Sequence, residues 1–275
     1  MKKIAFIGAG NMGGALILGV CRAIDPQQVV IFDTDTAKAQ SLADRTGCIV
    51  AETAEIACMQ SEYVVLAVKP QVLRGVQTAL IPAMKQAQRD GIQQIIVSIA
   101  AGITLDGLAE IPLENGLDLP VIRMLPNTPS EIGEGLNIYV ENRLVTEEKC
   151  AELEAIFAEC GLVERVTEQI MDVASAVSGC TPAFAYMFVE ALADGAVRCG
   201  VPRDKAIRYA AQAVKGAAAM VLETGRHPDA LKDAVCSPGG STIVGVATLE
   251  NAAFRAAAAN AVFYANEKNK DLGKK

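Results

Sequence analysis

Three short segments of this 275-residue chain carry residue types in spacings that can do chemistry. The first is Gly8-Ala9-Gly10-Asn11-Met12-Gly13, which follows the apolar run Ile4 to Ile7 and opens a helical pattern. A G-x-G-x-x-G loop in that setting suits a dinucleotide pyrophosphate. Its first glycine permits a tight turn, its second lets the phosphates approach the backbone, and its third lets helix and strand pack closely. Free N–H groups and the dipole of the helix start then stabilise the anion. Ile7, Gly8, Ala9, Gly10, Asn11 and Met12 are therefore candidate cofactor residues. Asp33 ends the next apolar run, where a carboxylate accepts hydrogen bonds from the adenosine ribose. Thr34, Asp35 and Thr36 supply no cation for a 2′-phosphate, so NADH is favoured over NADPH. The competing reading is that Asp33 only begins a turn or caps the next helix.

The second segment, Ala67-Val68-Lys69-Pro70, closes a strongly apolar run. Ligands of open parallel sheets sit beyond the carboxyl ends of the strands, so this segment faces the same crevice. Lys69 either touches the cofactor or is a solvated lysine at a strand end. The third segment is Ser237-Pro238-Gly239-Gly240-Ser241-Thr242, between two helical stretches. Paired glycines let backbone N–H groups converge on a carboxylate or phosphate. A helix starting near Ser241 adds its dipole, and the Thr242 hydroxyl both donates and accepts. On chemistry alone, an ordinary helix–helix turn competes with that reading.

The elements that must position these segments are legible as a rhythm. Apolar runs at 4–7, 29–32, 48–50, 64–68, 95–99 and 121–124 alternate with helical patterns such as 12–21, 36–45 and 72–87. Fully apolar strands alternating with helices predict a doubly wound α/β domain, a parallel sheet covered on both faces. Pro82 is expected to kink or interrupt its helix. A helix is expected over 147–158 and a last strand over 162–166. The rest reads as all-helical. One helix opens at Thr181-Pro182, as N-cap and first helical residue, and ends at Gly200. Others cover 202–223, 229–235 and 250–268. The expected domains are residues 1–165, dinucleotide-binding, and 166–275, helical.

Composition narrows the function classes. The net charge is −7, with no Lys/Arg cluster longer than two before the C-terminal tail, which argues against a nucleic-acid surface. A chain 51% hydrophobic and 21% charged is not globally disordered. The start, Met1-Lys2-Lys3-Ile4, breaks into Gly-Ala-Gly too soon for a signal peptide. Charges interrupt the Ala-rich stretches, so none reads as membrane-spanning. Eight scattered cysteines form no Cys-x-x-Cys pair, and His227 is the single histidine. The expectation is reduced thiols in a cytoplasmic protein without a metal site.

The chain also resembles the pyrroline-5-carboxylate reductase family over nearly its whole length. The resemblance is carried by Ile7-Gly8-Ala9-Gly10-Asn11-Met12, Leu66-Ala67-Val68-Lys69-Pro70-Gln71 and Ser98-Ile99-Ala100-Ala101-Gly102-Ile103. It continues through Arg123-Met124-Leu125-Pro126-Asn127-Thr128-Pro129 to Ser237-Pro238-Gly239-Gly240-Ser241-Thr242 followed by Leu249-Glu250. The resemblance implies an N-terminal Rossmann domain and a helical C-terminal dimerisation domain, assembled as a homodimer or larger. It implies hydride transfer from NAD(P)H to the C=N carbon of 1-pyrroline-5-carboxylate, giving L-proline. Ser237, Gly239, Gly240 and Ser241 would hold the substrate, with backbone donors from Gly240 and Ser241, and Thr242 would bond the ring nitrogen as the catalytic residue. Ile99, Ala100, Ala101 and Asn127 would line the nicotinamide end. Two departures stand out: Cys180-Thr181 replaces the family's Ser-Gly, and Ala54 stands where many relatives carry an Asn near the adenosine ribose. Alternatives are a related two-domain hydroxyacid dehydrogenase or imine reductase, with Lys205 or Lys215 as candidate catalytic lysines, and a non-catalytic NAD(P)H-binding sensor.

Overall fold

The computed structural model describes residues 1–272, with side chains to residue 269. Its first unit opens with β1 (Lys2–Ile7), α1 (Asn11–Ala23), β2 (Val29–Phe32), α2 (Thr36–Thr46), β3 (Ile49–Val50) and α3 (Ala54–Met59). It continues with β4 (Ser61–Leu66), α4 (Pro70–Arg89), β5 (Ile95–Ser98), α5 (Leu105–Glu114) and β6 (Val121–Leu125). It closes the sheet with β7 (Gly135–Glu141), α6 (Glu147–Phe157) and β8 (Gly161–Arg165). The eight strands lie in the order β3-β2-β1-β4-β5-β6-β7-β8. Side-chain alternation explains why strands covered on both faces, such as β1, β2 and β5, read as apolar runs. In β1, Ile4 and Phe6 enter the core on one face, while Ala5 and Ile7 enter the core on the other. Each such buried isoleucine or phenylalanine contributes about 1.5–3 kcal/mol.

One strand departs from the all-parallel expectation. β7 runs antiparallel to β6, with Met124 opposite Tyr139, and β8 then pairs parallel to β7. The β6–β7 connection, residues 126–134, has no room for the crossover of a dozen or more residues that a parallel pair needs. The short turn forces reversal. Pro82 does not interrupt α4. It lies on the exposed face, where water can take the carbonyl that the missing N–H releases.

The helical region also differs from expectation. Thr181-Pro182 does not open a helix: α7 runs from Glu168 to Arg198 with Pro182 inside it. A proline withdraws one helix bond, here from the carbonyl of Ser178, four residues earlier. The Asn127 side-chain amide donates to that carbonyl at 2.9 Å. The defect is thereby repaired from outside the helix, and the chain continues through it.

α8 (Arg203–Thr224) and α9 (Pro228–Ala234) follow, with Gly225 in a left-handed cap after α8. The helix expected to start near Ser241 is α10 (Ser241–Asn251), and the one expected over 250–268 is α11 (Phe254–Leu272); the two are separated at Ala253, whose φ is +56°. Compact units comprise residues 1–179 with the chain from Asn266, and Cys180–Ala265. The expected domain end at residue 275 lies outside the described residues. Among the described residues, α7 is the one helix long and apolar enough to cross a membrane by length and composition. Its first turns are occupied otherwise: Met171 is buried in a cluster with Leu125, Ile138 and Val140 of the sheet.

Candidate active site

The loop between β1 and α1 shows why its three glycines are glycines. Gly8 has φ +109°, and a Cβ there would lie 2.5 Å from the Ala67 carbonyl oxygen. A Cβ on Gly13 would lie 2.6 Å from the Gly8 oxygen. Gly10 differs, because a Cβ there would meet nothing within 4 Å. Its bareness leaves the approach to the helix start open. Gly10 is also the N-cap of α1 and offers no side-chain cap, so the N–H groups of the first turn remain available for an anion. The cradle therefore fits a pyrophosphate.

Asp33 closes the turn from the other side. Its Oδ2 accepts the Ala9 N–H at 2.6 Å and its Oδ1 accepts the Asp35 N–H at 2.9 Å. The carboxylate thus fixes the glycine loop to the end of β2 and keeps negative charge at that spot.

Two adjoining hollows flank this loop at the carboxyl ends of the strands. One, about 430 Å³, is lined by Asn11, Met12, Pro70, Ile99, Ala100 and Ala101 among others. The other, about 360 Å³ and mostly apolar, is lined by Ile7, Gly8, Asp33, Ala54, Val72 and Leu80 among others. Gly10, Ala67, Val68 and Lys69 line both. The structure thus gathers nearly all the candidate cofactor residues around one crevice. Ala9 contributes its N–H to Asp33 and lines a neighbouring groove with Arg45. Asn127 lines neither hollow. Both polar atoms of its side chain bond within the protein, Nδ2 donating to the Ser178 carbonyl and Oδ1 accepting the Leu136 N–H, each at 2.9 Å. Lys38, in the first turn of α2, lines the crevice and was not among the sequence candidates. Its signal in the sequence is a lysine two residues beyond Thr36, in the first turn of the helix that follows Asp33.

The third segment lies in the second unit. The Gly240 N–H donates to the Ser237 carbonyl at 3.0 Å, making a tight turn, and Gly239 has φ +69°. A Cβ on Gly240 would lie 2.4 Å from Ser237 Oγ. Gly240 is the N-cap of α10 and has no side-chain cap. Ser241 and Thr242 are exposed in the first turn. The turn therefore presents uncapped N–H groups beside a free hydroxyl. Nearby charged side chains serve other ends. Asp233 pairs with Lys232, Glu250 pairs with Arg255, and His227 Nδ1 caps α9 by accepting the Asp229 N–H.

Fold and crevice together define a dinucleotide-dependent oxidoreductase with a Rossmann domain. Residues 168–272 match the family model described as pyrroline-5-carboxylate reductase dimerisation, and residues 3–102 match NADP oxidoreductase coenzyme F420-dependent. The chain is 41% identical to the pyrroline-5-carboxylate reductase of Escherichia coli, covering 99% of both chains. It is 38% identical to that of Methanosarcina acetivorans, covering 100% of this chain and 99% of the relative. The Plasmodium falciparum pyrroline carboxylate reductase, solved with NADP bound, superposes with a TM-score of 0.84 at 31% identity, over 99% of this chain and 98% of that one. The chain belongs to the pyrroline-5-carboxylate reductase family.

Proposed function

We propose that this protein reduces 1-pyrroline-5-carboxylate to L-proline with NAD(P)H, the last step of proline biosynthesis, as a homodimer or larger homo-oligomer in the cytoplasm. The observation that carries the reading is the conjunction, in one chain, of the glycine cradle at Gly8–Gly13 and the uncapped Gly240–Thr242 helix start. One suits a dinucleotide pyrophosphate and the other a small carboxylate. A sensor of reduced nucleotide has no use for the second.

When bound, the dinucleotide supplies a hydride for the C=N carbon. The chain's own residues bind and orient. Gly10 and the first turn of α1 hold the pyrophosphate, and Ile99 to Ala101 line the nicotinamide end. Asn127 shapes that end by fixing the backbone around it. Gly240 and Ser241 donate backbone N–H groups to the substrate carboxylate, with Ser237 and Gly239 shaping the turn. Thr242 Oγ1 hydrogen-bonds the ring nitrogen. A protonated cyclic imine is already electrophilic, so orientation does more than a strong general acid would.

Asp33 places its carboxylate where ribose hydroxyls bind and where a 2′-phosphate would be repelled, giving NADH the advantage. Lys38 on the crevice wall moderates it. Comparing kcat/KM for NADH and NADPH, in the parent protein and in Asp33→Ala, tests this point. A preference unchanged by the substitution would reduce Asp33 to a fastener of the glycine loop. Oxidation of neither nucleotide in the presence of pyrroline-5-carboxylate, by protein that binds one of them, would discard the substrate.

A further inference from the structure

Arg123 is a charged residue within an apolar strand. Its β6 neighbours Val121, Ile122, Met124 and Leu125 are all buried, and Arg123 itself is 2% exposed. A guanidinium at that depth must be paired. Nη2 donates to Asp172 Oδ1 at 2.7 Å, and Nη1 lies 3.6 Å from Glu168 Oε1. The two acids stand four residues apart on α7 and so share one helix face. Glu168 Oε1 also accepts the N–H of Leu105, the first residue of α5, at 2.8 Å. One cluster thereby ties β6 and the start of α7 to the far end of the segment that begins with Ile99-Ala100-Ala101.

The cluster adjoins the crevice wall. Arg123 and Asp172 line a cavity of about 210 Å³ together with Pro70, Gln71, Ala101 and Gly102. Pro70 and Ala101 also line the larger of the two cofactor hollows. Among the described residues Arg123 Nε has no hydrogen-bond acceptor, and Nη1 has only the distant Glu168 charge. For stability alone this is a poor use of a buried side chain, since well-packed apolar residues can replace a buried ion pair at little or no loss. What an ion pair adds is direction.

We propose that Arg123, acting through Asp172 and Glu168, is a positioning residue of the reductase: it fixes the Ile99–Ala101 wall that sets where the nicotinamide end of the cofactor lies. The proposal rests on the reading of the crevice given above. Misplacement of reacting groups by an ångström costs on the order of 100-fold in rate.

The experiment compares the full chain with Arg123→Met/Asp172→Leu and with Arg123→Lys. It reads thermal midpoint, NADH dissociation constant, kcat, KM for pyrroline-5-carboxylate, the isotope effect with 4-deuterated nucleotide, and amide exchange over residues 99–105 without ligand. The double variant should keep its thermal midpoint and bind NADH within about threefold of the parent. Its kcat should fall about 10- to 100-fold with a larger isotope effect, and its 99–105 amides should exchange faster. Arg123→Lys keeps the charge without the fork and should recover part of the lost kcat. Parent kcat, isotope effect and exchange in either variant would overturn the proposal, as would a loss of kcat that only follows a loss of thermal midpoint. If the double variant does not fold, Arg123→Lys decides by the same readouts. Turnover by the parent protein in the same assays separates failure here from failure of the proposed function.

Discussion

The repair of α7 by Asn127 makes a prediction that can be worked out bond by bond. Pro182 has no N–H, so the Ser178 carbonyl is released from the helix, and Asn127 Nδ2 takes its place at 2.9 Å. Ser178 is 3% exposed and Asn127 9%, so bulk water is a poor substitute. Asn127→Ala strands that carbonyl and also the Leu136 N–H that Oδ1 accepts. Each stranded group costs about 1–3 kcal/mol, so the single variant should lose about 2–6 kcal/mol. Pro182→Ala returns an N–H to α7 and lets the helix satisfy Ser178 itself. In the double variant only the Leu136 half of the loss should remain. A double-mutant cycle by urea unfolding should therefore show a coupling of about 1–3 kcal/mol, the Ser178 half of the loss, within the range for groups sharing a bond. Strict additivity would refute the reasoning, because it would mean that Asn127 does nothing for the proline defect.

Four further variants have outcomes set by the structure. Thr242 is exposed and makes no side-chain hydrogen bond among the described residues, so Thr242→Ala should leave stability and NADH binding intact. Turnover should fall about 10- to 150-fold, for one lost bond of about 1.5–3 kcal/mol to a charged nitrogen; unchanged steady-state kinetics would remove Thr242 from the site. Gly10→Ala meets no protein atom and should fold normally while weakening nucleotide binding about tenfold or more through one impaired phosphate contact. Gly13→Ala, with its 2.6 Å clash, should lose both binding and about 1–3 kcal/mol of stability, as calorimetry with a binding titration would show. Burial pushes the Glu152 carboxyl up, but hydrogen bonds from Lys149, Lys3 and Tyr63 outweigh it and hold the group at about 2, from an ordinary 4.5. Its folded value is depressed, so its contribution is present above pH 4.5 and lost as pH falls toward 2. The stability gap between the parent and Glu152→Gln should close over that window, and a pH-independent gap would contradict the ion network.

What the sequence disclosed tracks what is local. Strands buried on both faces announce themselves as apolar runs, which is why six of the eight were visible in the first 125 residues. The cofactor cradle was visible because each glycine answers a steric demand of its own turn. β7 was missed because Gly135-Leu-Asn137-Ile-Tyr139 mixes a buried polar residue into a short alternation, and its direction follows from connection length rather than residue type. Continuation of α7 through Pro182 could not be read locally at all, since the donor that permits it lies 51 residues away in sequence. Arg123 stands within a family motif, where its chemistry is not apparent from the motif alone. A lone cation inside an apolar strand was its signal, but its partners Glu168 and Asp172 lie on another element.

The most direct test of the central claim is to follow the hydride. Purified protein is given pyrroline-5-carboxylate and NADH deuterated at the transferable position, and the product is analysed by mass and NMR. The account predicts L-proline carrying one deuterium on the ring carbon that was doubly bonded to nitrogen, formed in step with nucleotide oxidation. Nucleotide bound but not oxidised, or oxidised with the deuterium elsewhere than in proline, would contradict it.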